Sequence, residues 1–178
     1  DVERVVIEPT DTALSLREKL GLAVVPLLER VLPAILNQSL EWRPQVESEA
    51  TYCRKLCKAD GWIDFSLPAD AILNRWRAFK SWPGSFCMHG EHRLKIGTMT
   101  VLDASDIPMD LTVSKSELVV GGLIRDEDYL IVRTGSGWVR LLELQRPGGK
   151  MLPVSEFLRG YPVKTGETLL GEKSVELT

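Results

Sequence analysis

Up to about residue 80 the apolar positions of this chain recur at helical spacing; beyond Gly84 they alternate in short runs cut by turn residues. Val5-Val6-Ile7 is a β-branched run that fits a terminal strand or an extended arm. Thr10 or Asp11 is placed to cap a helix through about Leu20, with Leu16 and Leu20 on one side. Gly21 interrupts, and a second helix is expected from about Ala23 to Leu36, with Pro26 in its first turn and Pro33 placed to kink it. Val24, Leu27, Leu28, Val31, Leu32, Ile35 and Leu36 cover so much of its circumference that two faces want partners, inside this chain's own core or outside it. Residues 37–49 are polar and aperiodic and read as a linker, in which Trp42 needs somewhere to dock. Tyr52 to Leu56 reads as an extended segment.

The next stretch, Gly61 to Gly84, is GWIDFSLPADAILNRWRAFKSWPG. It opens on a short apolar run, and Ser66 and Pro68 then announce a helix, as cap and first-turn residue. Ile72, Trp76 and Phe79 make its apolar stripe, while Asn74, Arg75, Arg77 and Lys80 fill the remaining surface. Trp82-Pro83-Gly84 stops it.

Strand signals follow at once. Residues 85–89 and 92–96 flank Gly90-Glu91, a two-residue hairpin with glycine first, as a type II′ turn requires. Thr98 to Leu102 continues the second strand, and residues 103–116 read as a loop. Leu118 to Val120 and Leu123 to Arg125 are separated by Gly121-Gly122, and Asp126-Glu127-Asp128 turns into Tyr129 to Arg133. Gly135-Ser136-Gly137 turns again into an alternating run from Trp138 to Leu144. About six short strands of this kind predict a small closed barrel or Greek key. Val154 to Arg159 is a short helix, and the tail from Tyr161 reads as irregular.

Composition changes this picture little. The chain has 178 residues, 44% of them hydrophobic, enough for a real core. No apolar run approaches the roughly 18 residues of a membrane span. Three cysteines, an odd number, suggest reduced thiols and a cytoplasmic home. The start at Asp1, with no signal-peptide pattern, suggests a piece of a longer product. Charge is uneven: residues 1–50 hold 5 basic against 9 acidic side chains, residues 51–178 hold 17 against 16.

A catalytic constellation is not found. The only histidines, His89 and His92, flank one hairpin turn and read as exposed; with Cys87 they fall short of a four-ligand zinc site. Cys53 and Cys57 have no second pair at zinc-finger spacing, and no phosphate loop, dinucleotide fingerprint or nucleophile elbow is present. No catalytic, cofactor-binding or metal-binding residue is therefore assigned. What remains is surface charge: Arg75, Arg77 and Lys80 on or after the central helix, Arg93 and Lys95 on one face of a strand, and Arg140, Arg146 and Lys150 along and after the last strand. Each alone is a solvated side chain; grouped on one side of a barrel they would meet RNA phosphates. The glycines at 148 and 149 would let the backbone approach a phosphate closely.

Several motifs in order resemble the C-terminal portion of methionyl-tRNA formyltransferases: Asp11-Thr12-Ala13 with Leu16 and Lys19-Leu20, Lys55-Leu56, Ile63-Asp64-Phe65, Arg77-Ala78, Trp82-Pro83-Gly84, Leu94-Lys95-Ile96, and Leu144-Gln145 with Gly148 and Lys150. Phe65, Ser81, Gly121 and Gly149 depart from the family's usual residues, the last where a lysine is common. The resemblance implies an α+β chain: a helical tail of a Rossmann-like catalytic domain at 1–40, a linker at 41–50, and an OB-like Greek-key barrel at 51–178. It implies a parent enzyme that moves a formyl group from 10-formyltetrahydrofolate to methionyl initiator tRNA, with catalytic residues and folate site in an N-terminal domain whose motifs this chain lacks. On that reading the chain alone binds no cofactor and is inactive, and its partners are initiator tRNA and the catalytic domain, with self-association through residues 12–36 as a further contact and none with a membrane. The eight basic residues above are the expected tRNA contacts. The alternatives are the barrel of a related folate-dependent formyltransferase or hydrolase acting on a non-tRNA substrate, and a free-standing OB-like binding module.

Overall fold

The computed structural model describes residues 1–107, 118–125, 128–173 and 177. The chain divides into two compact units, Asp1–Lys55 with the extreme C-terminus, and Leu56–Glu176. In the first, one helix, α1, runs unbroken over Ala13–Leu36. Thr12, not Thr10 or Asp11, caps it: the Thr12 hydroxyl accepts from the Ser15 amide, and the Ser15 hydroxyl from the Thr12 amide. Asp11 instead sits under the first turn, accepting from the Glu8 amide, the Ser15 hydroxyl and the Lys19 ammonium. Gly21 does not interrupt, since a mid-helix glycine costs only about 1 kcal/mol. Pro26 and Pro33 both lie inside the helix. None of α1's residues is buried. Trp42, expected to dock, is 82% exposed in the segment that follows.

In the second unit, α2 (Ala69–Phe79) buries Ile72, Trp76 and Phe79, the stripe expected from their spacing. Its cap differs from the expectation. Pro68 holds the N-cap, while the Ser66 hydroxyl donates to Asp64 in the turn before it. The turn between the later strands is stitched to this start: Ala69 donates to the Ser136 carbonyl and Gly135 to that of Phe65.

The strands are β1 (Ser85–His89), β2 (His92–Leu102), β3 (Leu123–Arg125), β4 (Leu130–Arg133), β5 (Trp138–Gln145), β6 (Leu152–Pro153) and β7 (Leu169–Leu170). All pairings are antiparallel, in the order β3-β4-β5-β2-β1-β7, with β6 on the far end of β5. The hairpin closes as expected, His89 opposite His92, with Gly90 at φ +57. The sheet then joins its own edges. Leu123 donates to Glu167 and Leu169 to Gly121, across a Gly122–Thr168 bridge. The tail from Tyr161, read as irregular, thus supplies the strand that completes an OB-like barrel. Of the loop expected at 103–116, residues 104–106 form a 3-10 turn and 108–116 lie outside the described residues, as do 126–127 of the next turn.

Leu94, Ile96, Met99, Leu123, Leu130, Val132, Val139, Leu141 and Leu144 fill the interior, with α2 and the short helix α3 (Val154–Gly160) packed against it through Ile72, Trp76, Phe157 and Leu158. Ile124, Ile131 and Trp138 point the other way into a second cluster with Leu102, Ile107 and Leu118. Strand β4 is therefore buried on both faces, which is why Leu130-Ile131-Val132 reads as an unbroken apolar run. Among the described residues no helix is long and apolar enough to cross a membrane.

Candidate nucleic-acid interface

On β2 the buried Leu94 and Ile96 alternate with exposed Arg93 and Lys95, so the pleat itself puts both cations on the outer face. Lys95 pairs with Gln145 across β2 and β5, and Arg146 follows directly. The turn beyond is closed twice: the Gly149 amide donates to the Arg146 carbonyl at 3.0 Å, and the Gln145 side-chain amide donates to the Gly149 carbonyl at 2.7 Å. Arg93, Lys95 and Arg146 thereby line one groove of about 200 Å³, floored by Gln145, Pro147 and Gly148. The Arg93 guanidinium lies over the Phe86 ring at 5.2 Å, which holds the long side chain in place. The Lys95 stem passes over Gly84, just beyond the end of α2.

The other five expected contacts do not line this groove. Arg75 is half-buried; it donates to the Asp60 carbonyl at 3.3 Å and stacks over Phe79 at 4.8 Å. Its Nε is buried and has no hydrogen-bond partner among the described residues. Arg77 donates to the Asn74 side chain at 3.1 Å, and the Lys80 ammonium lies over Trp76 at 4.8 Å. Arg140 stacks on Tyr129 at 4.7 Å, with its Nε buried and unpartnered among the described residues. It lies five residues up β5 from Gln145, roughly 17 Å along the strand. Lys150 is exposed beyond the turn. Packing restrains Arg75 and Arg140 more than sequence alone suggested, because a guanidinium buries its flat face against rings as readily as it meets a phosphate.

Beside the groove opens a cavity of about 940 Å³ whose wall includes His89, His92, Arg146, Gly148, Tyr161 and Glu167. His89 is not the exposed hairpin residue expected; its side chain is 13% exposed. Nε2 lies 3.0 Å from Glu167 Oε2 and Nδ1 lies 3.1 Å from the Tyr161 hydroxyl. A carboxylate only accepts, so Nε2 carries the hydrogen, and in the neutral ring Nδ1 accepts from the phenol. The Lys164 backbone N–H, and then His89, hold the Glu167 carboxyl below its ordinary value, while burial pushes the Tyr161 phenol up. Tyr161 and Glu167 lie 72 and 78 residues from His89, so no local motif signalled this trio; only barrel closure brings it together.

The fold and the three cations of this groove define the class: a small barrel module with an outward basic groove. Residues 55–162 match the model of the family described as "Formyl transferase, C-terminal domain", and the chain belongs to that family. Methionyl-tRNA formyltransferases of Brucella ovis and Brucella canis are each 37% identical to it over 165 residues, 90% of this chain and 49% of theirs. The resemblance read from the motifs is thus borne out, and the chain spans about half the length of the curated relatives it matches. Among solved structures, HypX from Aquifex aeolicus aligns with a TM-score of 0.43 at 19% identity, over 75% of this chain and 24% of that one.

Proposed function

We propose that this chain is the tRNA-binding C-terminal part of a methionyl-tRNA formyltransferase, which transfers a formyl group from 10-formyltetrahydrofolate to methionyl initiator tRNA in the cytoplasm. Family membership and the named relatives support the enzyme class. The observation that carries the RNA contact is the convergence of Arg93, Lys95 and Arg146 on one groove. Cations so placed replace counterions along a phosphate backbone without reading bases, as shape-directed recognition of duplex RNA requires. Arg75, Arg77, Lys80, Arg140 and Lys150 act around this centre, Lys80 and Lys150 as outlying phosphate contacts and the stacked arginines chiefly in shaping the surface. The formyl donor's site and the catalytic groups belong to the half of such an enzyme that precedes this module, and the apolar surface of α1 packs against it.

The test is initiator-tRNA binding by the chain and by its Lys95→Glu/Arg146→Glu variant at low salt. The variant should bind at least about tenfold more weakly while retaining the parent's melting temperature, since each phosphate left without its cation also keeps its counterions. Equal binding by both would sink the groove as the RNA surface. With 10-formyltetrahydrofolate and charged tRNA, the isolated chain should show no turnover above background.

A further inference from the structure

Groove and cavity share one wall, formed by Arg146, Pro147 and Gly148. An RNA strand lying in the groove would therefore pass the cavity mouth. A duplex is too wide to enter a cavity of about 940 Å³, but a single nucleotide fits a space of this class. The wall carries the three kinds of group a nucleotide needs. Arg146 stands at the shared edge, where it can hold a phosphate. Tyr161 offers a ring backed by Phe157, centroids 4.9 Å apart, and the exposed His92 ring stands edge-on to it at 6.0 Å. Such a fixed aromatic surface suits base stacking, because every base has a π-face. Glu167 takes both its hydrogen bonds on Oε2, from His89 and the Lys164 amide; among the described residues Oε1 takes none. That oxygen is an acceptor for a ribose hydroxyl or an exocyclic amino group.

We propose that this cavity receives one unpaired nucleotide of the RNA whose backbone lies along the Arg93–Lys95–Arg146 groove. The inference rests on the tRNA reading for the source of the nucleotide. Glu91 and Glu167 stand in the same wall as Arg146, so the site suits one phosphate and disfavours a chain of them. The His89 ring is tied at both nitrogens and acts as a positioning residue, fixing Glu167 and Tyr161 about the mouth.

The experiment has two arms on the whole chain. In the first, AMP and ATP are titrated while backbone amide NMR signals are followed. AMP should shift the signals of His92, Arg146, Gly148 and Tyr161, and ATP should do so more weakly. In the second, a blunt RNA hairpin is compared with the same hairpin bearing a single-stranded overhang. The overhang should tighten binding about tenfold, the scale of one stacked base. His92→Ala and Tyr161→Ala should each cut that gain, while Lys95→Glu weakens both RNAs alike. Should Tyr161→Ala fail to fold, the exposed His92 change still decides the matter. Equal binding of blunt and overhanging RNA, or no AMP shifts at the cavity, would overturn the proposal while leaving the groove intact. Binding of neither RNA would overturn the tRNA reading and the RNA source together.

Discussion

Cys87 sits on β1 with its side chain wholly enclosed, and burial pushes its thiol up to about 12. Only a thiolate attacks a disulfide reagent, so this residue should be inert in the folded chain. Cys53 and Cys57 are exposed. Titration with an aromatic disulfide is expected to count two rapid thiols, and a third only after denaturation; three rapid thiols would show that β1 opens readily. Asp11 makes the opposite case. The Lys19 ammonium at 2.6 Å, aided by the Glu8 amide and the Ser15 hydroxyl, lowers its carboxyl from 3.8 to about 2. A carboxyl depressed by folding stabilises the fold above its unfolded value and loses that contribution as pH falls through the folded one. Asp11→Asn should therefore weaken α1 near neutral pH, and the difference in helical circular dichroism should vanish as pH drops from about 4 towards 2. A difference that persists at the acid end would mean that the ion pair is not the cause.

At the level of elements, the seam between β3 and β7 is an exacting contact. Gly121 sits at φ +83, and a Cβ there would meet the backbone carbonyl of Leu169, whose amide donates to the Gly121 carbonyl across the seam. Gly90 shares the positive φ but has open space around it. A side chain in this region costs about 1–2 kcal/mol by backbone strain alone. Gly121→Ala should lower stability by clearly more than Gly90→Ala in denaturant unfolding; equal losses would mean that the seam yields to the added methyl. The hairpin, α2, α3 and β4 were legible because each is local: a turn residue, a stripe or a short run declares them, though not that β4 is buried on both faces. Strand β7 was not, since two residues, Leu169 and Leu170, carry no periodicity and pair only because the barrel needs closing. The same limit hid Tyr161 and Glu167 from the site. Helix α1 was half legible: its apolar girth was plain, while its continuity through Gly21 was not. With Val24, Leu28, Leu32 and Ile35 all more than 40% exposed, α1 offers several side chains worth about 1.5–3 kcal/mol each on burial. The isolated chain is expected to self-associate with rising concentration in sedimentation, and Val24→Glu/Leu28→Glu to suppress it; association untouched by that change would place the contact elsewhere.

For the molecule as a whole, near-neutral charge over residues 51–178 means that the proposed RNA affinity would have to come from arrangement rather than excess. Three of the eight expected cations converge, and two of the remainder are held against rings with a buried nitrogen. Sequence alternation was enough to pair Arg93 with Lys95. It could not add Arg146, which reaches them only through the Lys95–Gln145 register and the turn that follows. The most direct measurement is the salt dependence of initiator-tRNA binding by the chain and by an Arg93→Ala/Lys95→Ala/Arg146→Ala variant. If these three side chains neutralise phosphates, the slope of log affinity against log salt should become shallower by roughly 2–3 in the variant, about one for each cation removed. An unchanged slope, with affinity preserved across the salt range, would contradict the claim that this groove is where the RNA backbone lies.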